Sequence, residues 1–187
     1  MPDFHIRTAS AHDVLLLVQL NETVQALHVA ENPLRYKSLG QDEAARAAYF
    51  AGHIADADSV VFIAEAAGHP VGYVLCIVNV QVEGPFTKAT SSLEIDQLSV
   101  EQDWQRRGVA SALMARVERF ACERGITRLT LSVAAFNVSA LAFYESLGYE
   151  IAMLRLARPV RSTGERWRPP TASHPGSSRS SNGWPLG

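Results

Sequence analysis

Leu98-Ser99-Val100, a short loop, and then Gln105-Arg106-Arg107-Gly108-Val109-Ala110 decide how this chain is read. An apolar strand end runs through a small-residue turn into a helix. The helix is announced by the stripe Val109, Leu113, Val117, Phe120 and Ala121, and Gly125 is placed to end it. Amide hydrogens at a helix start have no partner inside the helix, and the peptide dipoles favour negative charge there. Gly108 lets the backbone approach a phosphate without a Cβ in the way, Ala110 and Ser111 keep the next turn small, and Arg106 and Arg107 add cationic reach. A diphosphate is the natural ligand. The turn lacks the Gly-x4-Gly-Lys-Ser/Thr spacing of a P-loop and the three spaced glycines of a dinucleotide fingerprint.

Upstream, the strand over 93–100 contains an irregularity. Leu93 and Ile95 share one parity, Leu98 and Val100 the other. A regular strand would send the two pairs to opposite faces. One extra residue at Asp96 or Gln97, a β-bulge, puts all four on one side; a strand buried on both faces is the alternative. Farther out, Phe4 and Ile6 predict a first strand. Ser10 and Asp13 resemble a helix cap, and helical spacing continues to about residue 28. A second helix is expected over 41–54. The β-branched runs 60–66 and 71–80 form a hairpin, with a longer turn at Gly68-His69-Pro70. Beyond the central helix, Leu129, Leu131 and Val133 predict a fifth strand. Asn137 can cap a helix ended by Gly148, and Tyr149, Ile151 and Met153 open a last strand. The order β-α-α-β-β-β-α-β-α-β implies an α/β (α+β) fold with a mixed sheet.

The chain has 187 residues, 47% hydrophobic and 19% charged, enough for one soluble domain with a core of its own. Residues 1–158 are read as that domain. Residues 159–187, rich in Pro, Ser, Arg and Gly, are read as a flexible tail that buries too little to offset its ordering entropy. A net charge of −2 disfavours nucleic acid as a partner, although the tail carries Arg161, Arg166, Arg168, Arg179, Trp167 and Trp184. No apolar run is long enough to cross a bilayer, so no membrane partner is expected. Six scattered histidines offer no spaced ligand pair, so no metal is expected either. Cys76 and Cys122 lie in apolar runs, read as reduced core thiols that fit a reducing cytoplasm.

The segment Gln-x-x-Gly-x-Ala after a strand resembles the acyl-CoA-binding motif of the GNAT superfamily of N-acetyltransferases. Trp104 stands where that family often has an aromatic residue. A second stretch, Asn137-Val-Ser-Ala-Leu-Ala-Phe-Tyr144-Glu-Ser-Leu-Gly-Tyr149, is similar to the family's Asn-x-x-Ala-x-x-Phe-Tyr-x-x-x-Gly-Phe/Tyr pattern. Ala110 replaces a glycine common in the family. The resemblance covers residues 3–157 in element order and implies a mostly antiparallel sheet flanked by helices, with acetyl-CoA as cosubstrate. It implies that Leu98, Ser99 and Val100 hold the pantetheine arm, with an N–H, that of Leu98, on the thioester carbonyl. Gln105, Arg106, Arg107, Gly108, Val109, Ala110 and Ser111 would hold the pyrophosphate, and Asn137 would line the same cleft. Tyr144 becomes the candidate acid for the leaving thiolate, against a packed core aromatic as the plain alternative. Glu94, eleven positions before Gln105, is the candidate base, with Asp96 or water in reserve.

The implied activity is acetyl transfer to a primary amine of a small molecule or peptide, by direct attack in a ternary complex. A non-catalytic acyl-CoA-binding domain on the same fold is the competing reading. The acceptor would meet the first two helices and their loop, where His28, Glu31, Asn32, Arg35 and Tyr36 cluster. Many relatives dimerise through late strands or sheet edges, which makes a homodimer compatible with the resemblance.

Overall fold

The computed structural model describes residues 4–38, 40 and 42–157. Two compact units are distinguished, Met1–Leu147 and Gly148–Gly187. In the first, strand β1 (His5–Thr8) leads through one 3-10 turn (Ala11–Asp13) into helix α1 (Val14–Glu31). The expected cap is formed: the Ser10 amide donates to Asp13 Oδ2 at 2.7 Å. Helix α2 (Glu43–Ala55) is followed by strands β2 (Ser59–Ala66), β3 (His69–Gln81) and β4 (Thr90–Val100). Helix α3 (Val109–Glu123), strand β5 (Leu129–Leu131) and helix α4 (Val138–Ser146) complete this unit.

The sheet runs β1-β2-β3-β4-β5, antiparallel as far as β4, with β4 and β5 parallel. Helices α1 and α2 cover one face, where Leu17, Leu20 and Phe50 pack on Val61, Ile63, Tyr73 and Leu75. Alternation turns the other residues of β2 and β3 toward α3. There Phe62 meets the ring of Phe120 edge-on at 5.8 Å, and the Arg116 guanidinium lies 4.3 Å from the Phe62 centroid. The stripe anticipated on α3 is buried at Val109, Leu113, Val117 and Ala121.

Three expectations are corrected. The β2–β3 connection is not a longer turn. Ala67 and Gly68, at φ +48° and +78°, reverse the chain in two residues. Pro70 is accommodated within β3 because the register slips beside its partner Glu65, where a missing N–H is tolerated. Cys76 is buried, but Cys122 is exposed on α3. Finally, the strand expected from Tyr149 does not form among the described residues 148–157. Ile151 and Met153 alternate as a strand would, yet both are exposed. Alternation encodes a face, whereas a strand also needs a neighbour's backbone groups. No ladder partner is recorded for this segment.

No described helix is long and apolar enough to cross a membrane. Among the described residues, no group of three His, Cys, Asp or Glu is placed to hold a metal. The tail expected over 159–187 lies outside the described residues.

Candidate active site

The site is organised by the bulge in β4. Leu75 faces Gln97 and Cys76 faces Ile95, so Asp96 is the extra residue. Leu93 and Ile95 thereby share the α3 face with Leu98 and Val100, which lie opposite Val78, Cys76, Val74 and Gly72. Pairing of β4 with β5 covers only Leu93↔Leu129, Glu94↔Thr130 and Ile95↔Leu131. It stops where the bulge begins. From Gln97 to Val100 the strand pairs with β3 alone, and its other edge is open.

Alternation shows which groups line that edge. The Glu101 amide donates back toward β3, to the Val71 carbonyl at 2.9 Å. Ser99 and Gln97 pair with the same strand, so the backbone groups of Leu98 and Val100 point outward. The Val100 carbonyl accepts from Gln105 Nε2 at 3.1 Å, which pins the following loop to the strand end. The Ser99 side chain points away from the edge: its buried hydroxyl donates to the Leu20 carbonyl at 2.8 Å. The Ser99 backbone groups face Tyr73 of β3, so neither they nor the side chain reach the open edge.

The loop then turns through Arg106 at φ +60° and Gly108 at φ +85°, and α3 begins. A non-glycine residue in the left-handed region stores strain and persists only where surroundings over-determine it. No side chain caps α3, so the amides of Val109, Ala110 and Ser111 keep their outward direction. A Cβ built on Gly108 would meet no atom within 4 Å, so the space before the helix is open. The Arg107 guanidinium stacks 5.2 Å from the Trp104 ring, while both Arg106 and Arg107 remain exposed. A helix start without a cap, an open cradle and two arginines thus adjoin the open strand edge.

Tyr144 lies on α4 and is buried. Its phenol is pushed up to about 12, by burial first and then by the Cys76 thiol. Burial first, and then Asp96, pushes the Cys76 thiol to about 12 as well. The Tyr144 phenol is therefore protonated at neutral pH. Asn137 caps α4, its side-chain oxygen accepting from the Ala140 amide at 3.1 Å.

The two candidate bases share the α1–α2 face but differ in their anchoring. Glu94 Oε2 accepts from Asn79 Nδ2 at 2.6 Å. Asp96 Oδ2 accepts from the Tyr49 hydroxyl at 2.6 Å, and that hydroxyl belongs to a longer chain. Gln97 Nε2 lies 3.4 Å from Tyr49 Oη, Tyr73 Oη donates to Gln97 Oε1 at 2.6 Å, and Asn21 Nδ2 donates to Tyr73 Oη at 2.9 Å. Burial and then Asp96 hold the Tyr49 phenol well above its usual range. Sequence reading missed Asn21, Tyr49, Tyr73 and Gln97. The available signal was a polar Asn21 beside Leu17, Val18 and Leu20 on one helix face, and a tyrosine inside the apolar run 71–78.

The predicted acceptor cluster is partly assembled. His28 stacks on Tyr36 at 4.6 Å and meets Phe136 edge-on at 5.8 Å, bringing the α1–α2 loop to the residue before Asn137. Arg35 lies 5.7 Å from the Tyr36 centroid. Burial and then Arg35 lower the His28 pKa. Glu31 and Asn32 are exposed and make no side-chain bond among the described contacts.

Residues 22–149 match the Acetyltransferase (GNAT) family. The [Ribosomal protein bS18]-alanine N-acetyltransferase of Escherichia coli (strain K12) is 40% identical over 58 residues, 31% of this chain and 39% of that protein. An uncharacterized N-acetyltransferase of Methanocaldococcus jannaschii is 32% identical over 93 residues, 48% of this chain and 38% of its own length. The chain thus spans about two fifths of the curated relatives it matches. Among solved structures, the tetramutant of the BH1408 protein from Bacillus halodurans superposes with a TM-score of 0.79 at 19% identity, covering 83% of this chain and 99% of that one. Aminoglycoside N-acetyltransferase AAC(6')-Iy, solved with CoA, gives 0.68 at 17% identity over 85% and 95%. At such identities the likeness speaks for the fold. With the family match spanning more than half of the sequence, the chain belongs to the Acetyltransferase (GNAT) family.

Proposed function

We propose that this protein transfers an acetyl group from acetyl-CoA to a primary amine. The observation that carries the reading is the open β4 edge at Leu98 and Val100 beside the uncapped start of α3. An extended pantetheine arm can add to that edge as a strand would, while its pyrophosphate meets the amides of Val109–Ser111. Arg106, Arg107 and Gln105 would complete that cradle, and Asn137 would border it.

In this reading the Leu98 N–H polarises the thioester carbonyl, a hydrogen bond that strengthens as charge develops on oxygen. The amine attacks the carbonyl carbon, the C–S bond breaks, and Tyr144 donates its proton to sulfur. A phenol that burial keeps protonated supports that donor role. A carboxylate on β4, Glu94 or Asp96, relieves the acceptor of its proton. Holding both reactants in one cleft supplies the largest part of the gain, on the order of 7–11 kcal/mol in favourable cases. The acceptors named for the similar proteins, an alanine of ribosomal protein bS18 and an aminoglycoside, are both acetylated on nitrogen. A cytoplasmic setting suits the free thiols of Cys76 and Cys122.

Calorimetry with acetyl-CoA, followed by a thiol-release assay over alanine-initiated peptides, aminoglycosides and polyamines, tests the reading. Binding together with amine-dependent thiol release is the expected result. Binding without release across the panel points to a non-catalytic acyl-CoA receptor, and absence of binding at millimolar ligand overturns both.

A further inference from the structure

The hydrogen bonds around the bulge have a direction. Asn21 on α1 donates to Tyr73 on β3, Tyr73 donates to Gln97 on β4, Gln97 reaches Tyr49 on α2 through its Nε2, and Tyr49 donates to Asp96. Asn21 also reaches Gln97 Oε1 directly, at 3.1 Å. Each hydroxyl passes its proton toward the carboxylate, so each bond polarises the next in the same sense. The start of the chain is fixed: Tyr73 is completely buried and Asn21 nearly so. The end is exposed, at the one residue of β4 that has no partner in the ladder. Glu94, by contrast, accepts from Asn79 on the neighbouring strand.

We propose that Tyr49 is a positioning residue that fixes the Asp96 carboxylate as the group receiving the acceptor's ammonium, with Gln97 and Tyr73 holding Tyr49 in turn. The inference rests on the acetyl-transfer reading above. With Oδ2 committed to Tyr49, Oδ1 is left to accept from an incoming ammonium. The ammonium gives one proton to Asp96, the freed lone pair forms the N–C bond, the C–S bond breaks, and the departing sulfur takes the Tyr144 proton. Asp96 then loses its proton to solvent, and the second proton that the nitrogen sheds as the amide forms replaces the one Tyr144 gave to sulfur. The balance is ammonium plus thioester to amide, thiol and one proton. A bulge at this position thus does two things: it opens the strand edge, and it turns a carboxylate toward the helices that flank the acceptor.

The test uses the full chain and the best acceptor found in the thiol-release panel. Tyr49→Phe keeps the ring contacts with Phe50 and His53 while removing the donor. Its kcat/KM for the amine should fall about tenfold, as for a lost bond to a charged group. KM for acetyl-CoA and Tm should stay near those of the parent. Asp96→Asn should fall further, and Tyr49→Phe added to Asp96→Asn should change nothing more, because the two act as one unit. Glu94→Gln should be the milder of the two carboxylate changes. Full activity in Tyr49→Phe, independent effects in the double variant, or a larger loss in Glu94→Gln would each overturn the inference while leaving acetyl transfer intact. No turnover with any amine in the parent protein overturns the acetyl-transfer reading and this inference with it. Should Tyr49→Phe prove unstable, Tyr73→Phe interrupts the same chain one step earlier and must show the same selective loss in the amine parameter.

Discussion

Asp13 shows how one side chain ties local structure to a pH dependence. It accepts from Arg7 Nη1 and Nη2 at 2.9 and 2.7 Å and from the Ser10 amide, and Arg7 also holds Glu65 at 2.7 Å. The Arg7 bond first, opposed by burial and helped by Ser10, lowers the Asp13 pKa to about 2. A carboxylate depressed in the folded state stabilises the fold at pH above its unfolded value, near 3.9. That contribution, about 2 kcal/mol, is lost as pH falls through the folded value. Asp13→Asn should therefore lower stability at pH 7 but flatten its fall between about pH 4 and 2, measured by urea unfolding across that range. Tyr144 makes a second prediction at this scale. Tyr144→Phe should lower kcat by about a hundredfold, the lower end for a lost general acid, with acetyl-CoA affinity by calorimetry nearly unchanged. Because the phenol is held near 12, its titration should not shape the rate below about pH 10.

The decisive element is β4. Its bulge keeps Leu93, Ile95, Leu98 and Val100 on one face while ending the pairing with β5. Deleting Asp96 would restore a regular strand without moving any of these four to the wrong side. The variant should fold with a similar Tm, and the edge should close against β5. Acetyl-CoA affinity should then fall by about tenfold or more in calorimetry. Gly72 makes a converse case on the neighbouring strand. A Cβ there would lie 2.8 Å from the Ser99 carbonyl oxygen, which is backbone and cannot swing away. Gly72→Ala should cost about 1–3 kcal/mol in chemical unfolding, as other overpacked sites do.

Across the first compact unit, one sheet separates two cores. Phe50 belongs to the side of α1 and α2, while Leu113 is buried on α3. Phe50→Ala and Leu113→Ala should each destabilise by about 2–5 kcal/mol. Since they lie on opposite sides of the sheet, their effects should add within about half a kcal/mol in the double variant. At this scale most of the fold was legible in the sequence. Helix ends could be read from Ser10, Gly125, Asn137 and Gly148, since capping and left-handed glycines act over a few residues. The bulge too was legible, because the break in alternation at Asp96 is written in the strand's own residues. The last strand was not, because Ile151 and Met153 encode a face but not a neighbour.

What the sequence determined by itself is therefore everything governed by contacts a few positions apart: the periods of strands and helices, their caps, the bulge, and the small-residue turn before α3. Only the tertiary structure decided that β5 leaves β4 at Ile95, that Ser99 turns inward to Leu20, and that Asp96 is the end of a chain beginning at Asn21. Asn21 and Gln97 stand 76 positions apart, and Tyr49 and Asp96 stand 47 apart. Hydrogen-bonding capacity is a property of a residue, but the partner that satisfies a buried polar group is chosen by packing across helices and sheet, which no local pattern records.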